Sequence, residues 1–190
     1  PRPARFAPGA GSLIIGDAVS ERDTGRARFY EAEHLVHRLF DNVSSSRTVQ
    51  LAGTEVTLPA EARFASIDAV DDYVGRVLAL PGVRSSFERA SHPVSVRERR
   101  GQRSAHYAAR VRRSDGVPVA AEIAIPSAAD GRWALRELVV LHELAHHLDG
   151  TTGPAHGRGF VLTLIELVGL VLGPEAAFVY RVVLSDSGVG

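Results

Sequence analysis

Five residues constrain this chain most: His142-Glu143-Leu144-Ala145-His146, set in a run whose neighbours are mainly apolar. The pattern H-E-x-x-H carries a mechanism when it lies on a helix. Positions four apart stand one above the other on the same helical face, so His142 and His146 can aim both imidazoles at one cation. Glu143 lies about 100° further round. It stays beside the cation without taking the same place in its shell, and it can act as general base on the cation's water. Leu138, Leu141, Leu144, Ala145 and Leu148 form an apolar wall on the other sides of the segment. Two histidines and a glutamate on a buried helix need partners, and a metal ion with its water supplies them.

The chain contains no cysteine. Disulfides, thiolate zinc sites, iron–sulfur clusters and cysteine nucleophiles are excluded, and any metal site is built from His, Asp and Glu. Imidazole and oxygen donors suit Zn2+, whose catalytic sites take three protein ligands and keep one position open. His156 is the favoured third ligand. It follows His146 after nine intervening residues, and the Gly- and Pro-containing segment 151–157 can turn the chain back towards the helix. Glu166, after nineteen intervening residues, and Asp149, three after His146, are its rivals. Asp149 is better placed to orient a histidine from outside the shell.

Leu141-His142-Glu143-Leu144-Ala145-His146-His147, followed by His156-Gly157-Arg158-Gly159-Phe160, resembles the SprT-like zincins. There, H-E-x-x-H precedes a third histidine in an H-G-x-x-[FW]-like segment. The wider layout is similar to an uncharacterised metallohydrolase family of high-GC actinobacteria. In that family an Arg- and Tyr-containing helix opens the domain, a strand ending in Pro precedes the active helix, and an apolar helical pair closes it. The resemblance covers residues 21–184 loosely and 133–160 specifically. It implies a zincin-like fold, zinc held by His142, His146 and His156, and Glu143 as catalytic base, and it names no substrate; the expectation is a zinc metallopeptidase acting on peptide or protein, with a non-peptide amide as the alternative substrate. It favours His156 over Glu166: the helix-to-Glu166 spacing also occurs in gluzincins, but their Asn-Glu-x-x-Ser-Asp context is missing. SprT-like enzymes usually add DNA-binding segments, and none is found here.

The rest of the chain fits that expectation. With 190 residues, 45% hydrophobic and 23% charged, it has the size and composition of one globular domain. The 22 basic and 22 acidic residues cancel, so no whole-protein field draws it to nucleic acid or membrane. Every basic residue is Arg, which excludes lysine Schiff bases and the P-loop lysine. Residues 1–22 read as a flexible tail and 23–190 as a single domain. The pattern predicts a helix over 24–40, a hairpin over 48–58 turning at Gly53, and a Ser66-capped helix to Leu80 stopped by Pro81-Gly82. Strands follow at 94–99, 105–111 and 117–125, with a turn at Ser114-Asp115-Gly116. The active helix spans 133–148 with Gly150 at its C-terminal cap, and helices at 159–172 and 174–184 complete the chain. This order argues for α+β, with a small mixed or antiparallel sheet packed on the active helix. The apolar stretch 160–184 is interrupted by Glu166, Gly173-Pro174, Glu175 and Arg181 and reads as two buried helices rather than a membrane span. A soluble, cytoplasmic protein is the expectation.

Other features admit further readings. Arg97, Arg99, Arg100, Arg103, Arg110, Arg112 and Arg113 crowd the strand region; this is a phosphate-binding surface or, more plainly, a charged hairpin edge. Residues 120–125 or 105–111 can pair with extended peptide. Tyr107, Tyr180 and Arg158 are candidates to stabilise an oxyanion. His34, His37, His92, His106 and His147 read as non-ligands, and Trp133 as packing at the start of the active helix. The rival to an enzyme is a non-catalytic zinc-stabilised interaction domain, closed by Asp149 or Glu166 as fourth ligand, or a nucleic-acid-associated module.

Overall fold

The computed structural model describes residues 16–42, 47–100, 104–109, 120–127 and 133–189, with side chains from residue 25 onwards. The order is α1 (Gly16–Asp41), β1 (Thr48–Leu51), β2 (Thr54–Thr57), α2 (Ile67–Ala79), α3 (Pro81–Ser86), a 3-10 turn (Glu88–Ser91), β3 (Val94–Arg99), β4 (His106–Ala108), β5 (Ala121–Pro126), α4 (Glu137–Leu148), α5 (Arg158–Leu172) and α6 (Pro174–Asp186). The class is α+β. Among the described residues no helix is long and apolar enough to cross a membrane.

Helix α1 starts at Gly16, earlier than the expected Thr24, so residues 16–22 belong to a helix and not to a tail. No proline falls between Pro8 and Pro59 to stop it. Residues 1–15 lie outside the described residues. The β1–β2 hairpin turns at Ala52 and Gly53, both at positive φ (49° and 74°), the signature of a type I′ turn. Ser66 caps α2, its hydroxyl accepting from the Ala69 N–H at 3.2 Å. Pro81 opens α3 instead of only ending α2, because its fixed φ suits a first helical turn. Asp149 leaves α4 in extended conformation, so Gly150 is not the left-handed cap that the sequence suggests.

The second sheet is mixed, in the order β3-β5-β4. Central β5 runs parallel to β3 and antiparallel to β4. With both edges taken, β5 cannot add a peptide strand; among the described residues the free edge beside α4 is that of β4. The expected turn at 114–116 and residues 110–113 lie outside the described residues. Helices α5 and α6 pair across Gly173, whose φ of +104° reverses the chain.

Helix α4 occupies the centre of the domain. Among its residues only His146 is not fully buried. Leu138, Leu141 and Leu144 are wholly inaccessible, each contributing about 1.5–3 kcal/mol of apolar burial. Its N-terminus has no side-chain cap of its own, and residues from before α2 supply one. Glu61 accepts the Leu138 N–H at 3.1 Å and both guanidinium branches of Arg136 at 2.7 and 2.6 Å. Glu137 in turn accepts from Ala62 N–H at 2.7 Å and from the Tyr73 hydroxyl at 2.5 Å. At the far end, Arg89 donates to the Asp149 carbonyl at 2.5 Å, satisfying an orphan acceptor where a cation is favoured.

The Glu61–Arg136 pair is about 6% exposed on each side. Glu61→Ala strands the Leu138 N–H and leaves the buried Arg136 guanidinium with only the half-exposed Asp41, 3.2 Å away, as partner among the described residues. It should lower unfolding free energy by about 3–5 kcal/mol, read as a fall in the denaturant midpoint without loss of the native helical spectrum in water.

Candidate metal centre

His142 and His146 occupy one face of α4, as the four-residue spacing requires. The third member arrives from the loop between α4 and α5. That loop closes a turn, with the Gly157 N–H donating to the Pro154 carbonyl at 2.8 Å, and this sets His156 over the α4 face. Its two glycines are steric requirements. A Cβ on Gly157 would stand 3.0–3.1 Å from Pro154, and one on Gly159 would overlap the Thr151 side chain.

The three imidazoles converge. His142 Nε2 lies 3.2 Å from His146 Nε2 and 3.4 Å from His156 Nε2, and the three donor atoms fall within 4.8 Å of one another. A tetrahedral ion bound by nitrogens at 2.0–2.1 Å sets its donors about 3.3–3.4 Å apart. Facing nitrogen lone pairs at such distances repel unless a proton or a cation lies between them. Each ring also lies roughly parallel to an aromatic side chain: His146 on Phe160 (centroids 4.1 Å), His156 on Phe29 (4.7 Å) and His142 on Tyr30 (6.1 Å). The residues therefore form a group that can hold a metal ion.

Glu33, on α1, fixes the orientation of the pair on α4. Its Oε1 lies 2.6 Å from His142 Nδ1 across 109 residues of sequence, and both side chains are buried. With Nδ1–H donating to the carboxylate, Nε2 is the nitrogen left facing the centre. Burial opposes both charges, but mutual attraction and the hydrogen bond overcome it. The Glu33 pKa sits below the usual carboxylate value and that of His142 above the usual imidazole value. Burial, followed by the charge on neighbouring His142, drives His146 down to about 2 and His156 to about 4. Both are neutral at pH 7, the form that binds metal.

Glu143 is buried beside His142. Burial raises its pKa, partly countered by His142 and by a hydrogen bond from the Tyr107 backbone. Two cavities of about 330 and 400 Å³ adjoin the centre. They share Arg26, Tyr30, Ser104, Ala105, His142 and Glu143, so they are two lobes of one cleft. Their walls are α1, the start of β4 and α4.

The remaining candidates separate clearly. Asp149 Oδ1 accepts from the Thr151 N–H at 2.9 Å, and Glu166 is exposed on α5; neither joins the group. The orienting role expected of Asp149 belongs to Glu33. His147 turns away, its Nδ1 3.4 Å from the Tyr107 hydroxyl and its Nε2 3.2 Å from the His92 carbonyl. His34 and His37 lie on α1, where they line the 330 Å³ lobe. Tyr180 is inaccessible on α6, Arg158 is exposed and lines neither lobe, and the Tyr107 hydroxyl receives Arg89 at 3.3 Å. The phenol lining both lobes is Tyr30, with the Arg26 guanidinium 5.6 Å from its ring centroid. Trp133, 43% exposed, lines the cleft rather than packing inside. Of the arginine cluster, Arg97 pairs with Glu122 at 2.7 Å and Arg99 donates to the Ser104 carbonyl at 2.8 Å; Arg103, Arg110, Arg112 and Arg113 lie outside the described residues. Comparison with protein-family models, curated proteins and solved structures found no match.

Two measurements follow. Glu33→Gln keeps the shape of the carboxylate and removes its charge; it should weaken metal binding about 10–100-fold in chelator competition while leaving helix content unchanged. Burial also depresses His37, to about 4. The unfolded chain takes up the protons of His37, His146 and His156 near pH 6.5, and the folded chain refuses them until about pH 4 or below. With His147, also depressed by burial, four lowered imidazoles oppose two raised groups, His142 and Glu143. The metal-free protein should therefore be most stable above pH 6.5 and lose stability as pH falls from 6.5 towards 4, read as a falling denaturant midpoint.

Proposed function

We propose that this chain is a zinc-dependent metallohydrolase of zincin type, most simply a metallopeptidase of the cytoplasm that cleaves peptide bonds. The supporting observation is the convergence of His142, His146 and His156 with Glu143 beside them and, among the described residues, no fourth protein ligand in the group. Three nitrogens and an open position match a catalytic rather than a structural zinc site. Zinc, when bound there, supplies a Lewis acid that polarises a carbonyl and makes a water molecule more acidic.

The chain's own residues do the rest. His142, His146 and His156 hold the ion, and Glu33 keeps His142 Nε2 turned towards it. Glu143 takes a proton from the attacking water and delivers it to the leaving nitrogen. Its raised pKa suits a group that must accept and then release a proton near neutrality. Tyr30, with the Arg26 guanidinium against its ring and its own proton directed to no acceptor among the described residues, is the donor for the carbonyl oxygen. The outer edge of β4 runs along the cleft and offers backbone groups to an extended substrate. A peptide so bound crosses the cleft beside Glu143.

The test uses the zinc-loaded protein and a mixed peptide pool, with products identified by mass spectrometry. Glu143→Gln should retain one zinc per chain and lose about 10²–10⁴-fold in turnover. Chelation should abolish cleavage and added zinc restore it. Zinc retention with no cleavage by the unaltered protein sinks the peptidase reading and favours a non-catalytic zinc-stabilised domain.

A further inference from the structure

One face of α1 runs along the 330 Å³ lobe: Arg26, Tyr30, Glu33, His34 and His37 all line it, at the three- and four-residue spacing of a single helical stripe. The lobe's apolar lining is Trp133, Ala105 and Val139, with Ser104 beside Ala105. The floor is His142 and Glu143. The lobe therefore opens beside the reacting atoms, where a side chain or chain end adjoining the scissile bond comes to rest.

The polar groups of this lobe are unequal. Both carboxylates are already committed, Glu33 to His142 Nδ1 at 2.6 Å and Glu143 to the proton transfers of the proposed reaction. The uncommitted groups are cationic or imidazole. Arg26 is exposed and pairs with no carboxylate among the described residues; its guanidinium lies 5.6 Å from the Tyr30 ring centroid, a weak cation–π contact at an exposed site. The Nε2 of His37 is shielded from solvent and has no hydrogen-bond partner among the described residues. A cationic ligand would meet Arg26 and the metal ion together. A neutral one would leave the guanidinium unpaired. An anion meets charge-assisted donors, and a planar carboxylate matches the fork of a guanidinium.

We propose that the lobe walled by α1 is a recognition site for a carboxylate, with Arg26 as the residue that selects it and Trp133 as the apolar wall against which the attached carbons pack. The carboxylate comes from an acidic side chain or from a peptide's free C-terminus. The proposal rests on the peptidase reading for its meaning, since it names the substrate residue next to the cleaved bond.

Trp133 is the single tryptophan of the chain, so its fluorescence reports occupancy of this lobe without any turnover. The experiment titrates zinc-loaded Glu143→Gln protein with Ac-Ala-Ala-X-Ala peptides. X is Glu, Gln or Lys, and each peptide has a free or an amidated C-terminus. Carboxylate peptides should perturb Trp133 and bind about tenfold tighter than their neutral counterparts, the size expected for hydrogen bonds to a charged group, with lysine weakest. A preference set by X assigns the site to an acidic side chain; one set by the terminus assigns it to a chain end. Arg26→Lys should keep the order and Arg26→Glu reverse it, and neither breaks an ion pair of the fold. Affinities independent of ligand charge, or no binding, overturn the proposal. So does a carboxylate preference that survives Arg26→Glu, because the carboxylate then sits on the metal. Cleavage of the best-binding peptide by the unaltered protein is scored separately: selective binding without cleavage sinks the peptidase reading and leaves the site standing.

Discussion

The contact between Glu33 and His142 is the one on which the centre depends. It joins α1 to α4 across 109 residues at 2.6 Å, inside the core. As a source of stability such a pair is poor, because desolvating two charges offsets most of their attraction. Its value lies in direction. It selects which nitrogen of His142 carries the proton and so which one faces His146 and His156. A carboxylate hydrogen-bonded to a ligand imidazole also makes that imidazole a stronger donor. Without it, the two-fold freedom of a histidine ring would leave the donor set undefined.

A donor set is only as rigid as the helix that carries it, and α4 is held at both ends by groups from elsewhere in the chain. Glu61 and Arg136 fix its first turn, Arg89 its last carbonyl, and Leu138, Leu141 and Leu144 its flanks. Local signals are divided: Glu, Leu and Ala fill seven of its twelve positions and favour a helix, but the helix has no side-chain cap of its own to hold its ends. Tertiary restraint therefore substitutes for the missing caps, and the geometry that matters, the spacing of His142 and His146, is fixed by the helical repeat itself.

That division explains what could be read from the chain in advance. The pair on α4 and the position of Glu143 follow from a local repeat, so five residues disclose them. His156 is legible by a weaker route, because a turn-forming loop returns the chain and few other ligand types are at hand. The strands and the later helices were legible from alternation and from glycine and proline. Glu33 has no motif. Its signal is an acid set among Phe29, Ala32 and Val36, the buried stripe of α1, a place where a carboxylate needs a partner. The start of α1 was hidden because Gly and Ser content suggests loop where nothing in fact breaks the helix. Free and occupied edges of β4 and β5 depend on long-range pairing, which alternation does not encode.

Helix α1 thus does two jobs on adjoining positions of one face, and the two pull its side chains in opposite directions. Glu33 must be dry to hold its charge against His142, whereas Arg26 must reach water to meet a ligand. Distance along the helix resolves the conflict: Glu33 is 5% exposed, and Arg26, two turns towards the N-terminus, stands at the open rim. Tyr30 lies between them, its ring stacked towards His142 and met by the Arg26 guanidinium. A shift of α1 along its axis would disturb the His142 nitrogen that faces the other two imidazoles and the rim cation together, which makes the packing of α1 on α6, remote from the cleft, a determinant of both.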